Sequence, residues 1–226
     1  MSLSDWRPAT LVKTALRMNI RTVNQHVVVF AKVPRMGRVK TRLAHDIGFV
    51  KATAFYRQSL AHTLRTIKGN GRWTVWLAIA PDTAKVDPVI LRLATTAGAQ
   101  IIPQGVGDLG DRMDRVMHLL PPGPAVVIGT DIVGLTAAHI DAAFTSLGNH
   151  DAAFGPAPDG GYWLVGLKRT PIILRPFAPV RWSSQHALAD TISNLPQDCR
   201  VAMLSTLNDV DTAADLPRAN TNRADN

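Results

Sequence analysis

Apolar and polar positions alternate between two kinds of segment along this chain. His26-Val-Val-Val-Phe-Ala-Lys32 is a short, continuous apolar run of the kind that fills a strand buried on both faces. A loop carrying Pro34 and Gly37 follows, and then a long stretch with helical spacing from about Lys40 to Lys68. Trp73–Ala80 reads as a second strand closed by Pro81-Asp82, Ala84–Ala97 as a helix, and Gln100–Pro103 as a brief strand. A glycine-rich turn over Gly105–Gly110 leads into a helix from Asp111 to Leu120. Pro121-Pro-Gly-Pro124 then separates that helix from the buried strand Ala125–Ile128. The alternation continues with a helix over Thr136–Leu147, a strand over Asp151–Phe154, a turn at Asp159-Gly-Gly161 and a strand over Tyr162–Leu167. After the proline-rich stretch Pro171–Pro179 come a helix near Ser184–Leu195 and a last strand at Val201–Leu204. Strands that alternate with helices imply right-handed crossover units and a mostly parallel sheet, so the pattern predicts an α/β fold.

The length of 226 residues suits one such domain. We expect a basic arm or helix over residues 1–25, a single domain over 26–216 and a polar tail over 217–226. No apolar run is long enough to span a bilayer, and the N-terminus lacks the apolar core of a secretory signal. Cys199 is the only cysteine, which excludes an intramolecular disulfide and fits a reducing compartment. A cytoplasmic protein is expected, and the sequence does not specify its oligomeric state.

Charge changes the picture more than composition does. The net charge is +8, which points to anionic partners. Lys32, Arg35, Arg38, Lys40 and Arg42 crowd into one loop after the first strand, with no acid among them. Open α/β sheets bind ligands beyond the carboxyl ends of their strands. Pro34 and Gly37 shape the loop, and its cations would neutralise a di- or triphosphate, Arg through paired hydrogen bonds and Lys as a point charge. A solvated basic loop is the alternative, but like charges this dense repel one another without an anion. The glycine–lysine spacing is not that of a Walker A loop. The +8 charge also admits a non-catalytic nucleic-acid-binding protein. That reading lacks an aromatic–basic stacking platform, so no nucleic acid is expected as a partner.

Every acidic residue is an aspartate, so any carboxylate chemistry rests on Asp. Gly129-Thr-Asp131 ends the strongest strand and puts Asp131 at the same sheet edge as the cationic loop. Asp209 and Asp211 alternate in Asn208-Asp-Val-Asp-Thr212 and would share a face if that run is extended. Magnesium binds through one or two carboxylates plus phosphate and water, so one aspartate from each segment suffices. A helix cap for Asp211 and a turn role for Asp209 are the structural alternatives. Gln104–Met113 could bring backbone amides and a helix N-terminus to an anion. Gly155–Trp163 pairs Gly160 and Gly161 with Asp159, and Tyr162 or Trp163 could wall a pocket. A tight hairpin with buried aromatics reads equally well there.

Taken together, Phe30–Leu43, Gln104–Met113, Gly129-Thr-Asp131, Gly155–Leu167, Val180-Arg-Trp-Ser183 and Asp209-Val-Asp-Thr212 resemble a bacterial family of uncharacterised GT-A-like glycosyltransferases. That family lies within the nucleotide-diphospho-sugar transferase superfamily, and the likeness runs from about Val27 to Leu216. Lys40-Thr-Arg-Leu43 is also similar to phospholactate guanylyltransferases, and Asp209-Val-Asp-Thr212 to molybdenum-cofactor nucleotidylyltransferases. The resemblance implies a GT-A-like three-layer sandwich with a mostly parallel central sheet. It implies a metal-dependent transferase that takes a nucleotide or nucleotide-sugar and a small acceptor. Glycosyl transfer is the first expectation and nucleotidylyl transfer, with release of pyrophosphate, the alternative.

Carried onto this chain, the resemblance places Lys32, Arg35, Gly37, Lys40, Arg42, Gln104, Gly105, Gly107 and Gly110 at the nucleotide and its phosphates. It places Asp159, Gly160, Gly161 and Tyr162 on the acceptor side. Asp131, with Asp209 or Asp211, would hold Mg2+ or Mn2+, and Lys40 and Asp131 would be the catalytic pair. Relatives carry a proline soon after the aspartate of the Gly-Thr-Asp element, where this chain has Asp131-Ile-Val-Gly134.

Overall fold

The computed structural model describes residues 24–68, 71–210 and 212–215. The expected basic arm lies outside these residues except for Asn24 and Gln25, and the polar tail and Asp211 lie outside them entirely. Seven strands form one sheet: β1 (His26–Lys32), β2 (Thr74–Ala80), β3 (Gln100–Pro103), β4 (Ala125–Ile128), β5 (Ala152–Pro156), β6 (Tyr162–Leu167) and β7 (Val201–Met203). Their spatial order is β3-β2-β1-β4-β6-β5-β7. β1 runs parallel to both β2 and β4, while β6 runs antiparallel to β4 and β5. The strand order therefore switches direction between β1 and β4, where an open α/β sheet leaves a crevice at its carboxyl edge.

The helices are α1 (Thr41–Ile47), α2 (Phe49–Thr66), α3 (Pro88–Ala97), α4 (Leu109–Leu119), α5 (Ala137–Asn149) and α6 (Ala187–Ser193). Alternate residues of β1 feed two separate cores. Val27, Val29 and Ala31 pack with Leu60 and Leu64 of α2, Ile90 of α3 and Ile140 and Phe144 of α5. Val28 packs on the other face with Met113, Val116 and Met117 of α4, against Phe154 and Phe177. Period-two alternation in the strands and period-3.6 stripes in the helices thus give three layers. Among the described residues no helix is long and apolar enough to cross a membrane.

Two long helical stretches expected from the sequence are broken, each for a local reason. The stretch from Lys40 to Lys68 divides at Gly48, whose φ of 84° lies outside the helical region and is open chiefly to glycine. Ala84–Ala97 divides at Asp87-Pro88. There the Asp87 carboxylate accepts from Val89 N at 2.9 Å, Pro88 occupies the first turn, and Gly98 ends α3 in the left-handed region. Ahead of that cap the chain makes only a 3-10 turn, Asp82–Val86.

Candidate functional site

The loop after β1 is anchored at both ends and turns back over the sheet edge. Val33 N donates to Ala80 O at 3.0 Å, and Val33, Pro34 and Val39 are buried. Between them the chain reverses through Gly37, at φ 74°. Lys40 then adopts φ 46° and ψ 49°, a left-handed conformation that disfavours a residue with a Cβ. Backbone strain of this kind concentrates at sites where the surroundings over-determine it. Here the consequence is visible: α1 begins at Thr41 and the Lys40 ammonium meets the Asp131 carboxylate. Both partners are largely sheltered, with side-chain exposures of 9% and 17%.

Helix α2 ties the two strand ends together from beneath. The Tyr56 hydroxyl accepts from Lys32 N at 2.8 Å and is hydrogen-bonded to the Thr130 side chain. Burial pushes its ionisation up, and the nearby Asp131 charge adds to that rise. About two turns further on, Thr63 Oγ1 donates to Thr130 O at 3.0 Å. The carboxyl ends of β1 and β4, which carry Lys32 and Asp131, are therefore held by two hydroxyls of one helix.

Above these ends lies a cavity of about 750 Å³. Its cations are Lys32, Arg38, Lys40, Arg42 and Arg112. The remaining lining includes Asp159, Trp182, Ser183, Ser184 and Gln185, a carboxylate, an aromatic face and three neutral hydrogen-bonding side chains. The Trp182–Gln185 segment is braced from outside. Arg181 grips Asp190 with Nε at 2.8 Å and Nη2 at 2.7 Å, while its backbone N donates to the same carboxylate at 3.0 Å. Those bonds hold the Asp190 carboxyl well below the usual carboxylate range. Ser183 sits at φ 58°, and a Cβ on Gly160 would fall 2.1 Å from Gln185 O, so the segment packs directly on the Asp159-Gly-Gly161 turn.

The structure brings together Lys32, Lys40, Arg42, Gln104 and Asp159 around one cavity, and Asp131 meets it through Lys40. Other expected positions take different work. Arg35 is exposed and reaches toward Asp87 at 3.9 Å, away from the cavity lining, and Gly37 serves the turn. Gln104 is buried with its amide committed: Nε2 donates to Ala31 O at 3.0 Å and Ala78 O at 2.8 Å, and Oε1 accepts from Arg112 at 3.0 Å. It therefore lines the cavity as a clasp between β1 and β2.

Several amides of the glycine turn are committed within the chain. Gly105 N donates to Asp82 Oδ1 at 2.9 Å, and Asp108 and Asp111 bond reciprocally as a capping box for α4. Gly105 and Gly107 stand at positive φ, 79° and 110°, and a Cβ on Gly110 would fall 2.2 Å from Phe177 O. On the acceptor side, Asp159 lines the cavity and accepts from Gly161 N at 2.9 Å. Tyr162 does not line it. Its ring is flanked by Phe154 and Trp182, its hydroxyl lies 3.4 Å from Thr191 Oγ1, and burial raises its ionisation. Trp163 is likewise core, donating to Ser205 O at 3.0 Å. The aromatics of the lining are Phe30, Tyr56 and Trp182.

Tyr56, Arg112 and the Ser183-Ser184-Gln185 run carry no expectation from the sequence as site residues, yet all line the cavity. Tyr56 occupies the buried stripe of an amphipathic helix, which reads as core. The signal for Trp182–Gln185 lies in the Val180-Arg-Trp-Ser183 motif, to which the sequence assigns no role.

The carboxylates suit a hard divalent ion shared with a phosphate. Ile132 and Asp209 form an antiparallel bridge, Val210 N donates to Asp131 O at 3.3 Å and Val133 N to Asn208 O at 2.8 Å. The segments bearing Asp131 and Asp209 are thereby neighbours at the sheet edge. In the segment that departs from proline, Ile132 is buried in this pairing and Gly134 has φ 72°. No cluster of three or more His, Cys or acidic ligands occurs among the described residues. Two oxygen-donor side chains and no soft ligand match an ion that completes its shell with phosphate and water.

A family model described as "Uncharacterized protein conserved in bacteria (DUF2064)" matches residues 63–184. Among solved structures, the chain is similar to a protein of Desulfovibrio desulfuricans G20 described as a "putative nucleotide-diphospho-sugar transferase". The two share 27% identity over 83% of this chain and 82% of that one, with a TM-score of 0.74. It also shares its fold with 4-diphosphocytidyl-2C-methyl-D-erythritol synthase of Anaerococcus prevotii DSM 20548, at 11% identity, 90% and 97% coverage and a TM-score of 0.60. Glucosyl-3-phosphoglycerate synthase of Mycobacterium tuberculosis, solved with Mn2+, UDP and glucosyl-3-phosphoglycerate, aligns at 11% identity over 98% and 84% with a TM-score of 0.54. No curated protein matches the chain by sequence. The fold is GT-A-like, a three-layer sandwich about a mostly parallel sheet.

Proposed function

This chain belongs to the family of uncharacterized proteins conserved in bacteria (DUF2064), and we propose that it is a metal-dependent glycosyltransferase using a nucleotide-sugar donor. The observation that carries this reading is the division of the cavity lining. Five cations gather around the β1 loop and α4, whereas Asp159, Trp182, Ser183, Ser184 and Gln185 contribute neutral and acidic hydrogen-bonding groups and an aromatic face. The first set suits a diphosphate, and the second suits hydroxyl-rich groups that carry no charge of their own.

In the reaction an acceptor hydroxyl attacks the anomeric carbon, the bond from that carbon to the diphosphate oxygen breaks, and the nucleoside diphosphate leaves. Lys32, Arg38 and Arg42 hold the diphosphate, and Lys40, beside Asp131, meets the negative charge that grows on the departing oxygen. Asp159, the carboxylate in the lining, accepts the proton of the acceptor hydroxyl. Asp131 and Asp209 would hold Mg2+ or Mn2+, which when bound supplies positive charge to the leaving diphosphate. Tyr56 and Thr63 keep the strand ends fixed, so these groups need little rearrangement during turnover.

Nucleotidylyl transfer is the second reading, favoured by the number of cations. Five exceed what two phosphates require and would suit a triphosphate together with a phosphorylated acceptor. A thermal-shift panel of nucleoside triphosphates and nucleotide sugars, with and without Mg2+, tests the proposal. A ligand at a hundredfold its dissociation constant stabilises by roughly 2.7 kcal/mol. We expect nucleotide sugars to raise the melting temperature and Asp131→Ala to abolish the Mg2+-dependent part. A panel with no shift would sink both transferase readings, and pyrophosphate released from a triphosphate and an acceptor would select the second.

A further inference from the structure

We propose that Lys40 is a latch on Asp131, which makes phosphate binding and metal binding mutually dependent. The inference rests on the proposed nucleotide and metal site and adds an order of events to it. Asp131 already has a counter-ion within the chain: the Lys40 ammonium lies against its carboxylate, and both side chains are sheltered from water. A divalent cation that takes Asp131 as a ligand must meet this resident charge. Two cations on one carboxylate repel each other, and the repulsion is strong where water screens poorly. Metal alone is therefore a poor competitor for Asp131.

A phosphate chain changes the balance, because Lys40 also lines the cavity among Lys32, Arg38 and Arg42. An anion seated there offers the ammonium a second partner and draws it off the carboxylate, and the metal can follow onto Asp131 and the same phosphates. The backbone supports this two-partner role. Lys40 stands in a left-handed conformation at the start of α1, beyond a turn whose Arg35–Gly37 residues are exposed, while Asp131 is held in the bridge to the Asp209 segment. The movable member of the pair is the long lysine side chain, and the fixed member is the carboxylate. Linkage then requires that phosphate tighten metal binding by the same factor by which metal tightens phosphate binding.

The test uses Mn2+ alone and inorganic pyrophosphate, so it needs neither the nucleotide base nor the acceptor. Calorimetry should show that Mn2+ alone binds the wild-type chain weakly. Lys40→Met should bind Mn2+ about tenfold or more tightly, while its affinity for pyrophosphate in metal-free buffer falls by about tenfold. Gains for one ligand and losses for the other are the signature of a latch, since a merely damaged site loses both. Lys40→Gly is the second variant: glycine accepts the positive φ, so it removes the ammonium without that backbone cost. Asp131→Asn in either background should remove the Mn2+ gain. If Lys40→Met and Lys40→Gly leave Mn2+ affinity at the wild-type value while Asp131→Asn lowers it, the latch is wrong and the metal site stands. If Asp131→Asn changes Mn2+ binding in no background, even with pyrophosphate present, the metal site itself is wrong and the latch goes with it.

Discussion

Strand β1 has a dense group of polar side chains at each end, and the two groups are built on different terms. At its amino end His26 is buried, with its Nδ1 accepting from Trp76 Nε1 at 3.2 Å. Beside it Arg169, also buried, donates to the carbonyls of Pro121 at 2.9 Å, Gly123 at 2.7 Å and Leu120 at 2.9 Å. One guanidinium there clasps the Pro121–Pro124 turn that delivers the chain into β4. The cations at the carboxyl end, by contrast, line an open cavity, with Asp159 in the lining and Asp131 paired to Lys40. A buried charge closed on backbone carbonyls is part of the fold. Cations gathered around a cavity ask for an anion from outside. The balance of partners separates a structural knot from a site, and the density of charge does not.

The largest effect should come from cutting the closed end. Arg169→Met leaves the carbonyls of Leu120, Pro121 and Gly123 without their donor, in a buried setting where each unmet group is costly. We expect a stability loss of about 3 kcal/mol by urea denaturation. The nucleotide-dependent thermal shift should survive, because Arg169 lies at the far end of β1. A variant that unfolds at the wild-type midpoint would remove the clasp, and one that loses the nucleotide response would erase the distinction between the two ends.

Tyr56→Phe probes the seam where fold and site meet. The hydroxyl serves both Lys32 N and Thr130, so its removal should cost about 1 kcal/mol of stability. It should also loosen the strand ends bearing Lys32 and Asp131 and weaken the response to nucleotide plus Mg2+. Loss of stability with an unaltered ligand response would make Tyr56 a core residue that merely borders the cavity.

The contrast between the two ends also explains what the sequence discloses. The strands are legible because runs such as Val27–Ala31 and Ala125–Ile128 are apolar on both faces. The cationic loop is legible because Lys32, Lys40 and Arg42 are close in sequence as well as in space. Gly48 and Asp87-Pro88 break helices that periodicity alone runs through, since backbone conformation at one residue outweighs a face of apolar positions. Tyr162 and Trp182 show the harder limit. Both are aromatics beside short, turn-forming residues, and Trp182 borders the cavity on a segment that the Arg181–Asp190 clamp braces. Gln104 misleads for a related reason: its amide is spent on Ala31 and Ala78, partners 73 and 26 positions away. Arg169 carries no sequence signal, because its partners are carbonyls, which every residue has.

The smallest effect concerns protonation at the closed end. Burial lowers the His26 pKa from its ordinary 6.5; hydrogen bonds to the Pro122 and Pro121 carbonyls oppose it, and the positive charge of Arg169 adds to the fall. Below 6.5 the unfolded chain therefore binds a proton that the folded chain refuses. The contribution of neutral His26 is fully present above 6.5 and is lost as pH falls from there through the lowered native value. One such group changes stability by at most about 1.4 kcal/mol per pH unit. His139 adds to the slope with the same sign. Its pKa is also lowered by burial, and its Nδ1 accepts from Thr136 N at 3.1 Å, which requires that nitrogen to be unprotonated. Urea midpoints between pH 7.5 and 5 should thus fall, and His26→Gln should flatten part of that fall and leave the remainder to His139. A His26→Gln profile parallel to the wild type would show that His26 takes its proton as readily folded as unfolded. The amino-end knot would then be as open to water as the cavity at the other end of the strand.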